Sequence, residues 1–143
     1  PMILEHARRL TLKNMTKITD NQLVYLDIDD DYIHQLFPLF KNEKIKKPDY
    51  FREKSAGAHV TLFYPEEGKK IDKNDLDKEH HFIIKDLVAA EIGNKTYCVL
   101  LVNSPSLVAL RKKCGLGELL SFKGYFIGLH ITIGVATDSD WVK

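Results

Sequence analysis

The stretches GAHVTLFYP, residues 57–65, and GLHITIG, residues 128–134, are the most informative parts of this chain. Each places a histidine two positions before a threonine within an apolar run: His59 with Thr61, and His130 with Thr132. Side chains two positions apart along a β-strand leave the same face of the sheet. We therefore predict two strands that each present an imidazole and a hydroxyl together. Chance supplies two such pairs inside β-type runs about one time in a hundred.

The remaining pattern predicts strands and helices in the order β-α-β-β-β-α-β. Alternating or continuous apolar residues indicate strands, whereas apolar residues spaced by three and four indicate helices. Gly93-Asn94 lies between two strand-like runs and is a strong hairpin signal. The predicted elements are a strand at Leu23–Asp29, a helix at Tyr32–Phe40, a strand with His59 in the run Ala58–Tyr64, strands at Phe82–Ile92 and Thr96–Val102, a helix at Ser106–Cys114 and a strand at Ser121–Thr137. This order favours an α+β fold with an antiparallel or mixed sheet and helices on its outer face.

The composition is that of an ordinary soluble domain. The chain has 143 residues, 44% of them hydrophobic and 29% charged, so we expect a single domain, 1–143, with its own core. A net charge of +1 argues against binding to long nucleic acid, and no apolar run approaches the ~20 residues that span a membrane. Cys98 and Cys114 lack metal or disulfide spacing, which is typical of reduced thiols in a cytoplasmic protein.

Two imidazoles and two hydroxyls around one site suit the cleavage of a phosphodiester. The reaction needs a base that deprotonates the nucleophile and an acid that protonates the leaving oxygen. Histidine titrates near pH 6.5, so one neutral and one cationic imidazole can coexist at neutral pH. Threonine hydroxyls can donate hydrogen bonds to the non-bridging oxygens. This chemistry needs no metal and no cofactor, and the sequence leaves open which histidine is the base.

These residues resemble the 2H phosphoesterase superfamily, which is named for two His-x-Thr/Ser motifs in the two halves of its fold. The resemblance extends from Leu23 to Thr137 and includes the apolar flanks of both motifs. It implies a bilobal, pseudo-symmetric α+β fold whose sheets line a central cleft, with helices on the outer faces. It also implies a phosphodiesterase whose catalytic residues are His59, Thr61, His130 and Thr132.

Within that superfamily the chain is most similar to the small anti-CBASS nucleases of T4-like phages. The strings VYLDIDDDYI, GAHVTLFYP and GLHITIG carry this similarity. It implies a phage protein that acts in the host bacterial cytoplasm and cleaves the 3′-5′ linkages of cyclic di- or trinucleotides, thereby countering CBASS signalling. Its partner would be that substrate, with no membrane involved, and its oligomeric state is left open.

Four aromatic residues are candidates for substrate binding. Tyr25, Phe63 and Phe126 lie on the expected cleft face, where they either stack on bases or belong to the core. Trp141, in the polar C-terminal segment, either docks on the body of the protein or closes over a ligand.

Two other functions fit the same motifs. One is a phosphodiesterase acting on 2′,3′-cyclic phosphates or 2′,5′-oligoadenylate at RNA ends, and the other is a non-catalytic nucleotide-binding module. Two complete His-x-Thr pairs favour an enzyme, because a binding module has no need of two proton-transfer groups. We interpret the charge runs Lys44–Lys47 and Arg111–Lys113 as solvated faces.

Overall fold

The computed structural model describes residues 2–9, 14–18, 22–51 and 55–137. Three α-helices and eight strands lie within these ranges, together with 3₁₀ turns at Phe37–Leu39, Pro65–Glu67 and Lys73–Asp75. In chain order the elements are α1 (Met2–Arg9), β1 (Met15–Ile18), β2 (Val24–Asp27), α2 (Asp31–His34), β3 (His59–Phe63), β4 (Ile83–Ile92), β5 (Lys95–Asn103), α3 (Pro105–Lys113), β6 (Leu120–Phe122), β7 (Tyr125–Ile127) and β8 (His130–Thr137).

The strands form separate antiparallel sheets, which confirms the predicted α+β class. The first sheet has the order β1-β2-β3 and carries His59 on β3. The second has the order β4-β5-β8 and carries His130 on β8, while β6 and β7 form a small hairpin. Strands β3 and β8 come into contact, so the two motifs meet where the two sheets adjoin.

The structure corrects two of the predicted elements and adds a strand. Strand β1 precedes β2 and was not predicted. The expected helix at Tyr32–Phe40 is instead the single turn α2 followed by a 3₁₀ turn. Pro38 accounts for part of the difference, because proline has no amide hydrogen to continue a helix.

The predicted strand at Ser121–Thr137 is in fact three strands, β6, β7 and β8. Lys123 and Gly124 both adopt positive φ angles, 50° and 82°, which are typical of a two-residue hairpin turn. That turn folds β7 back onto β6, and β8 begins only at His130. The alternation assumed from Phe126 to Thr132 is therefore broken before the second motif.

A similar β-bulge follows the threonine in each motif strand. Thr61 pairs with Tyr25 and Phe63 pairs with Val24, so Leu62 is an extra residue on β3. On β8, Thr132 pairs with Val99 and Gly134 pairs with Cys98, and Ile133 is the extra residue. Bulges redirect the side chains that follow them and are common beside active sites. The two motifs thus share backbone irregularity as well as sequence.

The hydrophobic core is continuous across both sheets. It includes Val60 and Leu62 from β3, and Ile131 and Ile133 from β8, all of which are fully buried. Packing of this core therefore sets how the two motif strands approach one another.

One charged pair is buried beside this core. Arg111 on α3 is 1% exposed and forms an ion pair of 2.8 Å with Glu67. Arg111 also donates a hydrogen bond of 2.6 Å to the carbonyl of Leu62, the bulge residue. The prediction that Arg111 lies on a solvated face is wrong, whereas Lys112 and Lys113 are exposed as predicted.

Candidate active site

The two motif histidines are held in the same way. Nδ1 of His59 lies 2.6 Å from the carbonyl oxygen of Gly57, and Nδ1 of His130 lies 2.8 Å from that of Gly128. A carbonyl oxygen can only accept a hydrogen bond, so each Nδ1 carries a hydrogen. In the neutral ring, Nε2 is therefore the nitrogen that can exchange a proton with a substrate.

The start of β3 is fixed by an acidic side chain. Asp30 accepts a hydrogen bond of 2.9 Å from the amide of Ala58. Gly57 adopts a φ of +67°, and a Cβ there would lie only 2.8 Å from Oδ1 of Asp30. Glycine is therefore required before the first motif, because a side chain would displace the carboxylate that orients the strand carrying His59.

Burial lowers the pKa of both imidazoles. For His59 the lowering by burial is opposed by the Gly57 carbonyl and by the negative charge of Asp27. For His130 the lowering by burial is opposed by the Gly128 carbonyl and reinforced by positive charge on His59. Positive charge on His59 thus disfavours protonation of His130. The unliganded protein accordingly favours neutral imidazoles at neutral pH.

The motif residues line two adjoining cavities. The first, which we call the slot, has a volume of about 90 Å³. Its lining residues are Tyr64, Ile92, Tyr97, Val99, Phe122, Ile127, His130 and Thr132. The second, which we call the basin, has a volume of about 310 Å³. Its lining residues are Lys46, Lys47, Pro48, Asp49, Tyr50, His59, Lys95, Tyr97, Thr132, Val135 and Thr137.

Thr132 and Tyr97 line both cavities, so the slot and the basin meet at the second motif. The slot is apolar and aromatic apart from its motif residues, whereas the basin includes Lys46, Lys47 and Lys95. An aromatic slot suits a planar ring and a basic basin suits an anion. The site therefore has two chemically different flanks.

The two threonines are not equally accessible. Thr61 is 3% exposed, and its hydroxyl is hydrogen-bonded to the phenol of Tyr64, which lines the slot. Burial raises the pKa of Tyr64 to about 12, so this phenol stays neutral. Thr132 is partly exposed and lines both cavities directly. Thr61 thus faces the site through Tyr64, while Thr132 faces it without an intermediary.

The four aromatic candidates have different positions. Tyr25 is buried, and its ring lies edge-on to His59 at 5.7 Å. Phe63 is 1% exposed and belongs to the core, so it has no free face for a base. Phe126 is 72% exposed on β7 and lines neither cavity. Trp141 lies outside the described residues.

Phe63 and Phe126 fail to reach the cavities for identifiable reasons. The extra residue Leu62 interrupts the alternation of β3, so Phe63 no longer follows the face of Thr61. Phe126 belongs to β7, which pairs with β6 and ends at Ile127 before β8 begins, and Phe122 and Ile127 of that hairpin line the slot instead.

Sequence reasoning missed three tyrosines around the motifs: Tyr50, Tyr64 and Tyr97. Tyr50 lies edge-on to His59 at 4.9 Å, and its hydroxyl donates a hydrogen bond to the carbonyl oxygen of Thr132. Tyr64 lies three residues after Thr61 in the sequence, and that position was a usable signal. Tyr50 and Tyr97 gave no local signal, because each reaches the site only through tertiary packing.

The family assignment rests on a match over most of the chain. The model of the Swiss Army Knife 2H phosphoesterase domain, 2H-SAK, matches residues 24–140. The chain therefore belongs to the 2H phosphoesterase family, and it is a phosphodiesterase that hydrolyses phosphodiester bonds. This confirms the superfamily resemblance carried by the two His-x-Thr motifs. Comparison with curated proteins and with solved structures finds no match.

The described residues contain neither a grouped set of metal ligands nor a membrane-spanning helix. No three or more His, Cys, Asp or Glu side chains between residues 2 and 137, outside the gaps noted above, are grouped to hold a metal ion. In the same part of the chain, no helix has the length and apolar character needed to cross a membrane.

Proposed function

We propose that this enzyme is a metal-independent phosphodiesterase that cleaves 3′-5′ linkages in cyclic di- and trinucleotides. The observation that supports this most directly is that His59, His130 and Thr132 line two adjoining cavities. In this proposal the two sheets are the lobes of a bilobal fold, and the slot and basin form the cleft between them.

Each catalytic step is assigned to a side chain of the two motifs. Nε2 of the neutral histidine takes the proton from a ribose 2′-hydroxyl, or from water, as that oxygen attacks phosphorus. The P–O bond to the leaving ribose breaks in line, and the protonated histidine gives its proton to that oxygen. The hydroxyl of Thr132 stabilises the negative charge on the non-bridging oxygens, and Thr61 acts through the phenol of Tyr64, which lines the slot. Two imidazoles suffice for both proton transfers, which is why the proposal includes no metal.

The two flanks of the site support a substrate larger than one mononucleotide. The aromatic walls of the slot can hold one base, since stacking on an aromatic ring contributes about 1–3 kcal/mol. The lysines of the basin can hold a second phosphate, and Tyr25 lies beside His59 at the edge of the same site. A cyclic di- or trinucleotide presents both groups on one small molecule.

The biological setting rests on the similarity to the phage nucleases. The shared strings at residues 24–33, 57–65 and 128–134 support a phage protein that removes CBASS signals in the bacterial cytoplasm. A net charge of +1 supports a small nucleotide ligand rather than long nucleic acid.

A substrate panel tests this proposal. The enzyme is incubated with cyclic di- and trinucleotides, 2′,3′-cyclic mononucleotides and 2′,5′-oligoadenylate, in the presence and absence of EDTA, and products are resolved by mass. We expect EDTA-resistant cleavage of cyclic oligonucleotides at 3′-5′ linkages. Preference for 2′,3′-cyclic mononucleotides or 2′,5′-oligoadenylate would move the enzyme to the RNA-end class, and loss of activity with EDTA would overturn the metal-independent mechanism. His81→Gln, which replaces an exposed histidine, is the matched control for motif variants.

A further inference from the structure

The distance between the two catalytic histidines is not set by strand pairing. β3 and β8 belong to different sheets, and no ladder of backbone hydrogen bonds joins them in the part of the chain that the structure describes. Acid and base must nevertheless stand on either side of one phosphate, and an error of about 1 Å in such a site can cost roughly 10²-fold in rate. Besides the packing of the shared core, specific side-chain contacts must therefore hold the two motifs in register.

Tyr50 contacts both motifs. Its ring lies edge-on to the His59 imidazole, with 4.9 Å between ring centroids. Its hydroxyl donates a hydrogen bond to the carbonyl oxygen of Thr132 on the other strand. Its own carbonyl oxygen accepts a hydrogen bond of 2.8 Å from the amide of Gly57, and the Gly57 carbonyl in turn holds Nδ1 of His59.

The segment that carries Tyr50 is itself fixed to β8. Lys46 and Val135 exchange two backbone hydrogen bonds, of 2.7 and 2.8 Å. Gly134 leaves space for this segment, since a Cβ there would lie 2.6 Å from Cγ2 of Ile45. The space beside Gly134 is filled by the side chains of Ile45 and Phe40. Residues 45–50 are therefore anchored along the second motif strand.

We propose that Tyr50 is a positioning residue that holds the His59 motif at its working distance from the Thr132 and His130 motif. The phenol fixes one end of this link through its hydrogen bond, and the ring and backbone fix the other. Burial raises the pKa of Tyr50, so the phenol remains a neutral donor at all working pH values. Tyr50 itself transfers no proton. This role rests on the proposed catalytic function of the two histidines.

The substitution Tyr50→Phe tests this role, because it keeps the ring against His59 and removes only the hydrogen bond to Thr132. We expect kcat to fall about tenfold or more while KM changes less than about twofold, because the binding groups remain and their alignment is lost. Water entering the loosened site should bring the lowered imidazole pKa values back toward 6.5. The pH profile of kcat/KM should then move to higher pH. Tyr50→Leu, which also removes the ring contact with His59, should lower kcat further than Tyr50→Phe does.

Two controls separate positioning from general destabilisation. Ile33→Val removes one methyl group from the core on α2, away from both cavities. We expect it to lower Tm by about 2–4 °C, a loss similar to the one expected for Tyr50→Phe. Tyr125→Phe removes the hydroxyl of an exposed tyrosine and should leave kcat and the pH profile unchanged. If Tyr50→Phe matched Ile33→Val in kcat and in pH profile, the positioning role would be overturned.

A second measurement is independent of any substrate. Histidine side-chain NMR signals of the free protein should shift for both His59 and His130 in Tyr50→Phe, and for neither in Tyr125→Phe. Absence of a shift at both rings would contradict the link, whatever the activity. Failure of the wild-type enzyme on the whole substrate panel, with the shifts present, would overturn the proposed function while leaving the structural role of Tyr50 intact.

Discussion

Replacing Arg111 by methionine should destabilise the protein more than any surface change. The guanidinium makes five hydrogen bonds in a buried position. Two of them go to the carboxylate oxygens of Glu67 at 3.1 and 2.8 Å, and the others go to the carbonyls of Leu62, Gly117 and Leu119 at 2.6, 2.7 and 2.9 Å. The residue thereby joins α3 to the bulge of β3 and to the chain entering β6.

The size of the effect follows from what the substitution leaves behind. Arg111→Met leaves the Glu67 carboxylate, whose side chain is 3% exposed, without its countercharge. The backbone amide of Tyr64 still donates to Glu67 at 3.0 Å, but that bond does not neutralise the charge. Removing one partner of a buried ion pair typically costs about 3–5 kcal/mol. That loss is a large part of the roughly 5–15 kcal/mol that stabilises a domain.

Urea unfolding followed by far-UV circular dichroism measures this cost. We expect Arg111→Met to lower the free energy of unfolding by about 3–5 kcal/mol and the double variant Arg111→Met/Glu67→Met to recover most of it, because no charge then remains buried. Lys112→Met is the matched control on the same helix. Its ion pair with Glu118, at 3.7 Å, is exposed, so it should change stability by no more than about 1 kcal/mol. An Arg111→Met variant as stable as Lys112→Met would refute this reasoning.

Further predictions concern the pH dependence of activity and stability, the role of Thr132, and the burial of Phe63 and Phe126. Since burial lowers the pKa values of His59 and His130 and catalysis needs one protonated ring, kcat/KM should peak below about pH 6.5 and fall about tenfold per pH unit on the alkaline side. A plateau up to pH 8 would contradict this. The free energy of unfolding should also decrease as pH falls below about 6.5. In that range the histidines of the unfolded state bind protons, whereas the buried rings of the folded state stay neutral to lower pH. Urea unfolding at two pH values measures this decrease. Thr132→Val should lower kcat about 10²-fold, measured by steady-state kinetics, because one donor to the phosphate is lost. Phe63→Ala should lower the free energy of unfolding, measured in urea, by about 3–5 kcal/mol, because Phe63 is buried. Phe126→Ala should lower it by less than about 0.5 kcal/mol, because Phe126 is exposed, and equal losses would contradict this difference in burial.

The sequence was sufficient to predict strands and turns whose determinants are neighbouring residues. The His-x-Thr spacing and the alternation around it predicted both motif strands, and Gly93-Asn94 predicted the turn between β4 and β5. Secondary-structure patterns of this kind depend on neighbours within a few residues. The α+β class follows from the same local signals.

Bulges and turns inside the motif region were not predicted. An extra residue in a strand, such as Leu62 or Ile133, leaves the composition unchanged and appears only in the pairing register. For this reason Phe63 was assigned to the wrong face. The turn at Lys123-Gly124 carried a weak signal, because lysine is not a typical residue at positive φ.

Contacts between residues that lie far apart along the chain could not be predicted from the sequence either. Arg111 reads as part of a basic surface run because Glu67 lies 44 positions away. Tyr50 reads as a loop residue because Thr132 lies 82 positions away. Only tertiary packing brings these partners together, and both contacts support the geometry of the site.

The most direct test of the two-histidine mechanism is a double-mutant cycle on cyclic oligonucleotide hydrolysis with His59→Gln, His130→Gln and the two combined. If the two rings act as one acid/base pair, each single variant should lose about 10²–10⁴-fold in kcat, and the double variant should lose little more. Thermal unfolding should confirm that each variant is folded. Full activity in either single variant, or losses that multiply in the double variant, would contradict a shared site.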